Sequence, residues 1–201
     1  MVAHNKADVN KCSTVKLKLI NMTKVRNCLY ETKIYVGTYK KYNEGSLFGQ
    51  WLNLSDYNDF EELIQAMKEL HQDEEDPEFM FQDYECSTII KSMGLIGESY
   101  ISSEIYEVLE VIEDSYYSEE IIEAYVDCYG TEDNIHNLIR KVEESYTGEY
   151  NTDQEFVQEL LEQTGDIPEN LPSYIHIDWE STARNIMYDY STSNNYYFRD
   201  I

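Results

Sequence analysis

The sequence predicts an α+β fold assembled from small units. Two observations carry this. The chain has 201 residues, 42% of them hydrophobic, enough for one to three small cores. Its apolar residues switch along the chain between the two-residue period of strands and the helical period.

The elements follow in order. Residues 1–30 are basic and polar, with one alternating run, Val15-Lys16-Leu17-Lys18-Leu19, that can form a strand. Met22 can serve as an alternative start. Residues 33–39, Lys-Ile-Tyr-Val-Gly-Thr-Tyr, are rich in aromatic and β-branched types and are expected as a strand. Asn43-Glu44-Gly45 is a turn, and residues 47–53 can return as a second strand. Phe60, Leu63, Ile64 and Met67 then recur at helical spacing, with Asp56 or Asn58 near the N-cap. Pro77 ends the acidic run Asp73-Glu74-Glu75-Asp76, and residues 79–85 make a third strand.

From about residue 93 the pattern is helical. Ile101, Ile105, Val108, Leu109 and Ile112 form one apolar face over 101–114. Ser118 is the expected cap of a helix whose face is Ile121, Ile122, Tyr125, Val126 and Tyr129. Thr131 is the expected cap of the next, with Ile135, Leu138, Ile139 and Val142. Thr152 and Glu155 form a capping box ahead of Phe156, Val157, Leu160 and Leu161, and Gly165 suits the C-terminal cap. Pro168 and Pro172 bracket a loop. Tyr174–Ile177 reads as a strand, 179–190 as a helix, and Tyr196–Phe198 as a strand that closes a sheet.

Net charge is −25 and unevenly spread. Residues 1–43 hold nine Lys/Arg and two Asp/Glu; residues 44–201 hold six and 38, a net of −32. Such a body repels itself and argues against nucleic acid as a direct partner. Its cost calls for a reason: solubility, a high-salt habitat or a basic partner. No apolar run of about 18 residues suggests a membrane span, and no secretory signal is visible. Cys12, Cys28, Cys86 and Cys128 fit no zinc pattern and suit a reducing cytoplasm.

The acids have a pattern of their own. Glu104, Glu107, Glu110, Glu113 and Asp114 recur every three or four residues, opposite the apolar face of 101–114. Glu119, Glu120, Glu123 and Asp127 do the same on the next helix, and Glu132 and Asp133 follow. No lysine pairs with them at i+4. Helical acids so spaced lie about 5–6 Å apart along the axis, while a duplex strand carries one charge per roughly 3.4 Å. Two such helices approach the charge density of a duplex face; the plainer reading is a soluble acidic surface with no partner. The EF-hand, P-loop, G-x-G-x-x-G and H-E-x-x-H patterns are missing. His4, His71, His136 and His176 are scattered, and no carboxylate pair is singled out. Neither an enzyme nor a cofactor or metal site is expected. Most of the 19 tyrosines are expected at core boundaries, ring in and hydroxyl out.

The run Ile34-Tyr-Val-Gly-Thr-Tyr39-Lys-Lys-Tyr42-Asn43-Glu-Gly45-Ser-Leu-Phe-Gly49-Gln-Trp51 resembles the opening of the ArdA family of antirestriction proteins. Asp83-Tyr84-Glu85 sits at a similar distance beyond it. The acidic stretch from Glu107 to Asp127 and the closing segment Asp178-Trp179-Glu180 through Ala183-Arg184 also resemble that family. The resemblance spans about 33–201, and the basic residues 1–30 depart from it. It implies an elongated chain of three small domains, α+β at 33–92, acidic and helical at 93–134 and α+β at 135–201, and leaves residues 1–32 outside as a basic N-terminal extension. It also implies a homodimeric mimic of bent B-form DNA, carried by a mobile element. Such a protein binds type I restriction-modification enzymes in the cytoplasm and blocks their DNA-binding groove. On that reading Glu104, Glu107, Glu110, Glu113, Asp114, Glu119, Glu120, Glu123, Asp127, Glu132 and Asp133 stand in for phosphates. The alternative is an acidic decoy for another basic DNA-binding protein, such as a nucleoid protein or a transcription factor.

Overall fold

The computed structural model describes residues 31–168 and 170–201. The expected strand at 15–19, the start at Met22, His4, Cys12 and Cys28 lie outside the described residues. The architecture is α+β, with three small antiparallel sheets and eight helices among the described residues. These residues fall into two compact units, 31–119 with 131–136, and 120–130 with 137–201.

The first unit is organised by a three-stranded sheet of order β2-β1-β3, with β1 at Lys33–Thr38, β2 at Gln50–Asn53 and β3 at Phe79–Glu85. Alternation puts Ile34 and Val36 on the core face, and both are fully buried. A register shift between Tyr35 and Val36 marks a bulge against β3. Ahead of β1, Thr32 is buried and its carbonyl accepts from the Leu54 amide at 3.0 Å.

Two boundaries differ from the sequence reading. Helix α1 (Tyr39–Asn43) takes over directly after β1, because the Thr38 hydroxyl caps it by accepting from the Lys41 amide at 3.3 Å. The return strand starts at Gln50 rather than residue 47. The ladder with β1 ends at the Val36–Gln50 pair. Gly49 passes so close to β1 that a Cβ there would meet the Val36 carbonyl oxygen at 2.5 Å, while Leu47 and Phe48 sit in an exposed loop, with the Leu47 carbonyl accepting from the Tyr35 hydroxyl at 3.1 Å.

Helix α2 (Phe60–Leu70) buries Leu63 and Met67, as their spacing predicts. Its cap is Asp59, neither Asp56 nor Asn58. The Glu62 amide donates to Asp59 Oδ1 at 2.9 Å, and the Glu62 carboxylate accepts from the Asn58 amide at 2.9 Å. Periodicity sets the apolar face but not the phase of a cap among neighbouring Asx residues. Asp59→Ala should cost about 1 kcal/mol, read as a lower urea midpoint with unchanged slope.

A short helix α3 (Thr88–Ser92), capped by Ser87 and absent from the sequence reading, leads to the two-stranded pair β4 (Ile96–Gly97) and β5 (Tyr100–Ile101). Pairing of Ile101 with Ile96 claims it for a strand, so helix α4 runs over Ile105–Asp114 rather than from 101. Ile105, Val108, Leu109 and Ile112 on α4 are buried as expected.

In the second unit, helix α5 (Glu119–Tyr129), whose first residue belongs to the first unit, buries Ile122, Ala124, Tyr125 and Val126. Helix α6 is Ile135–Ser145, with its first two residues in the first unit. It starts four residues after Thr131, which therefore lies too early to cap it. A second sheet of order β6-β8-β7 follows, from β6 (Tyr146–Glu149), β7 (Tyr190–Ser193) and β8 (Tyr196–Arg199). The closing strand expected at 196–198 is thus central, and β6 and β7 are strands beyond those the sequence predicts. Helix α7 (Asp153–Thr164) carries the expected cap at Thr152, and Gly165 ends it with φ +77. Glu155 reaches back one residue further than a capping box requires, to the Asn151 amide at 3.0 Å.

Helix α8 (Trp179–Ile186) and a 3-10 turn at Met187–Asp189 cover the expected helix except Tyr190, which joins β7. Tyr174–Ile177 is not a strand. Tyr174, Ile175 and His176 are exposed, and the segment pairs with no strand among the described residues. Phe156, Val157, Ala183 and Tyr197 form the core of this part, with Tyr150, Trp179 and Tyr190 against it. No helix among the described residues is long and apolar enough to cross a membrane.

Candidate functional site

Three helices, α4, α5 and α7, contain no lysine or arginine. Their sequences put apolar residues on one face and acids on the rest, so burial of the apolar face turns the acids outward. On α4, Glu107, Glu110 and Asp114 are exposed and Glu113 is half-buried. Glu104 lies at the N-cap rather than within the helix and makes no side-chain capping bond. Glu119 is half-buried, and it lines a shallow groove with Glu31, Lys33, Glu85 and Cys86. In the connection between α5 and α6, Glu132 is half-buried and Asp133 exposed. These eight acids belong to the first unit.

Glu120, Glu123 and Asp127 belong to the second unit. Glu120 and Asp127 are exposed and Glu123 is half-buried. Asp127 accepts a hydrogen bond from Ser193 Oγ at 3.1 Å, which ties the end of α5 to β7. In the first unit, Glu107 has a neighbour that spacing did not suggest: His136 Nε2 lies 3.2 Å from its carboxylate, both side chains largely exposed. A long-range contact of this kind leaves no local sequence signal.

The structure adds acids that the sequence reading did not single out. Asp153, Glu155, Glu159 and Glu162 are exposed on α7. Glu155, Glu159 and Glu162 line a groove with Gln154, Gln158 and Trp179. The signal was available, because Asp153–Thr164 lacks basic residues just as α4 and α5 do.

Tyrosines serve as hydroxyl donors inside the units. Tyr129 donates to Asp200 Oδ1 at 2.6 Å and Tyr197 to Asp153 Oδ1 at 2.7 Å. Burial, reinforced by these carboxylates, raises both hydroxyl pKa values, so both stay protonated donors. Tyr174 and Tyr188 are the most exposed aromatics among the described residues. Cys86 and Cys128 are free and half-buried, and burial pushes both thiols up, away from thiolate chemistry.

One polar cluster has a different character. Lys41 Nζ lies 2.8 Å from Asp73, 3.4 Å from Glu74 and 3.0 Å from His71 Nδ1. The His71 nitrogen and the two carboxylates lie within 4.8 Å of one another, and the Lys41 ammonium takes the place a bound cation would need. The grouping is an ion-pair network built around that ammonium. Among the described residues the acids of α4, α5 and α7 form the largest group of exposed charges of one sign.

A family model described as Antirestriction protein (ArdA) matches residues 34–199. No curated protein and no solved structure matches the chain.

Proposed function

The chain belongs to the ArdA family of antirestriction proteins, whose members are inhibitors and not enzymes, and from this we infer that it inhibits restriction by mimicking DNA. The observation that carries the reading is the set of helices without a basic residue, whose acids are turned outward by burial of the opposite face. Carboxylates presented in this way offer a basic DNA-binding groove the negative charge it meets in phosphates. The partner is a type I restriction-modification enzyme in the cytoplasm of a bacterium that has acquired a mobile element. The inhibitor works as a homodimer, and its carboxylates occupy the groove without any covalent step. On this reading the eleven acids from Glu104 to Asp133 contribute together, joined by those of α7. A nucleoid protein or transcription factor, equally basic, is the competing target.

The test is competition with duplex DNA for a purified type I enzyme across a salt series. Affinity should fall as salt rises, because the Debye length shrinks from about 10 Å at 0.1 M to about 3 Å at 1 M. The slope should be shallower than that of DNA, which also releases condensed counterions. Affinity independent of salt would remove the electrostatic mechanism. Competition confined to another basic protein would redirect the target.

A further inference from the structure

His71 is fully buried, and both ring nitrogens are committed. Nε2 lies 3.3 Å from the Val36 carbonyl oxygen, which can only accept, so Nε2 carries the ring proton. Nδ1 is left as an acceptor, and the Lys41 ammonium donates to it at 3.0 Å. The same ammonium is held by Asp73 at 2.8 Å and Glu74 at 3.4 Å, and the Glu74 carboxylate accepts from Thr38 Oγ1 at 2.8 Å. Lys41 also lies 4.6 Å from the Phe48 ring centroid, and Phe48 stands edge-on to His71 at 5.6 Å. The Ser46 amide donates to the Lys41 carbonyl at 2.9 Å. The ammonium on α1 therefore reaches the segment after α2 and the Phe48 ring of the loop at 46–49, His71 and Glu74 carry the network on to Val36 and Thr38 of β1, and the Tyr35 hydroxyl separately donates to the Leu47 carbonyl at 3.1 Å.

We propose that Lys41 and His71 form an acid-operated latch, in which a proton on His71 Nδ1 expels the Lys41 ammonium and releases the loop carrying Leu47 and Phe48. A second ring proton turns Nδ1 from acceptor to donor and brings two cations to 3.0 Å. The two states exclude each other. The displaced contact has a successor, since the Asp73 and Glu74 oxygens lie within 4.8 Å of the ring nitrogen and can receive the imidazolium. That successor makes the arrangement an exchange of partners.

Lys41, Asp73 and Glu74 are the charged groups facing His71 from the elements packed against it; Phe48 and Phe79 face it as rings. Burial holds the His71 pKa below its ordinary value, the Val36 hydrogen bond opposes this, and the Lys41 charge adds to the lowering. Burial also works against the Lys41 ammonium, but its bonds to Asp73 and Glu74 outweigh it and raise its pKa. The sign for stability follows. Unfolded histidine titrates near pH 6.5 while folded His71 resists protonation, so the closed latch stabilises fully above about 6.5. Its contribution is lost as pH falls through the lower folded value.

The experiment is a pH titration of the full chain, following the His71 ring and the backbone amides of residues 46–49 by NMR. His71 should titrate below about 6.5, with the loop amides moving at the same midpoint. In Lys41→Met the His71 midpoint should rise and the loop amides should no longer follow it. If that variant does not fold, the wild-type titration decides alone. A His71 midpoint at or above 6.5 overturns the proposal. So do loop amides that move instead near pH 4, with the carboxylates.

Discussion

Converting Glu104, Glu107, Glu110, Glu113, Glu119, Glu120, Glu123 and Asp127 together to their amides should remove most of the inhibition. If these acids stand in for phosphates, each carboxylate, five of them exposed and Glu113, Glu119 and Glu123 half-buried, should contribute about 0.2–1 kcal/mol to pairing with a basic partner. Eight such losses amount to at least roughly tenfold in affinity, with an upper end several orders of magnitude higher. A single change such as Glu110→Gln should cost at most about fivefold, the same arithmetic for one charge. An amide keeps the shape of the carboxylate and an acceptor oxygen, so Asp127→Asn leaves the bond from Ser193 possible. Folding should hold or improve as self-repulsion falls, with circular dichroism as the control. Competition binding across one, four and eight substitutions is the measurement. One substitution that ends inhibition while the fold survives would replace distributed charge with a single hot spot.

Phe156→Ala should be the most damaging single change to stability. Phe156 is 2% exposed, and its ring centroid lies 4.8 Å from Tyr197, 4.8 Å from Tyr190 and 5.2 Å from Tyr150. Truncating a buried Phe to Ala costs about 3–5 kcal/mol, and each aromatic pair adds about 0.5–1.5 kcal/mol beyond area burial. Whole domains are stable by only about 5–15 kcal/mol. The variant should lose its near-ultraviolet dichroism at 25 °C, or unfold at a much lower urea concentration. Tyr174→Ala is the contrast. Tyr174 is 80% exposed, and its loss should change stability by no more than about 0.5 kcal/mol. Similar urea midpoints for the two variants would mean that this aromatic cluster is not the core of its unit.

Much of the fold was legible because its signals are local. The face of α4, the strand at 79–85 and the cap at Thr152 rest on residues within one or two turns of each other. Errors fall where a distant partner decides. Ile101 continues the helical pattern of α4 but pairs with Ile96, and an unfilled hydrogen-bonding edge outweighs one more turn of helix. Leu47 and Phe48 look like strand residues, yet pairing with β1 ends at Val36–Gln50 and the Leu47 carbonyl accepts from the Tyr35 side chain. Tyr174–Ile177 has strand composition and no neighbour to pair with among the described residues.

The site divides in the same way. Helical spacing and the lack of basic residues on α4 and α5 were enough to put their acids opposite the apolar face. The same test passed over α7, although Asp153–Thr164 meets it equally. His136 beside Glu107 and Lys41 against His71 could not be read from spacing, being 29 and 30 residues apart.

The sequence by itself determined the charge, the family, the periodic faces and the acids on them, since all of these depend on residue identity and short-range geometry. Only the tertiary structure decided which residue ends a strand, which acid meets a histidine and which buried nitrogen meets an ammonium. Those outcomes depend on segments brought together by burial, and a buried polar group takes whichever partner packing delivers, because leaving it unpaired costs more than any local preference.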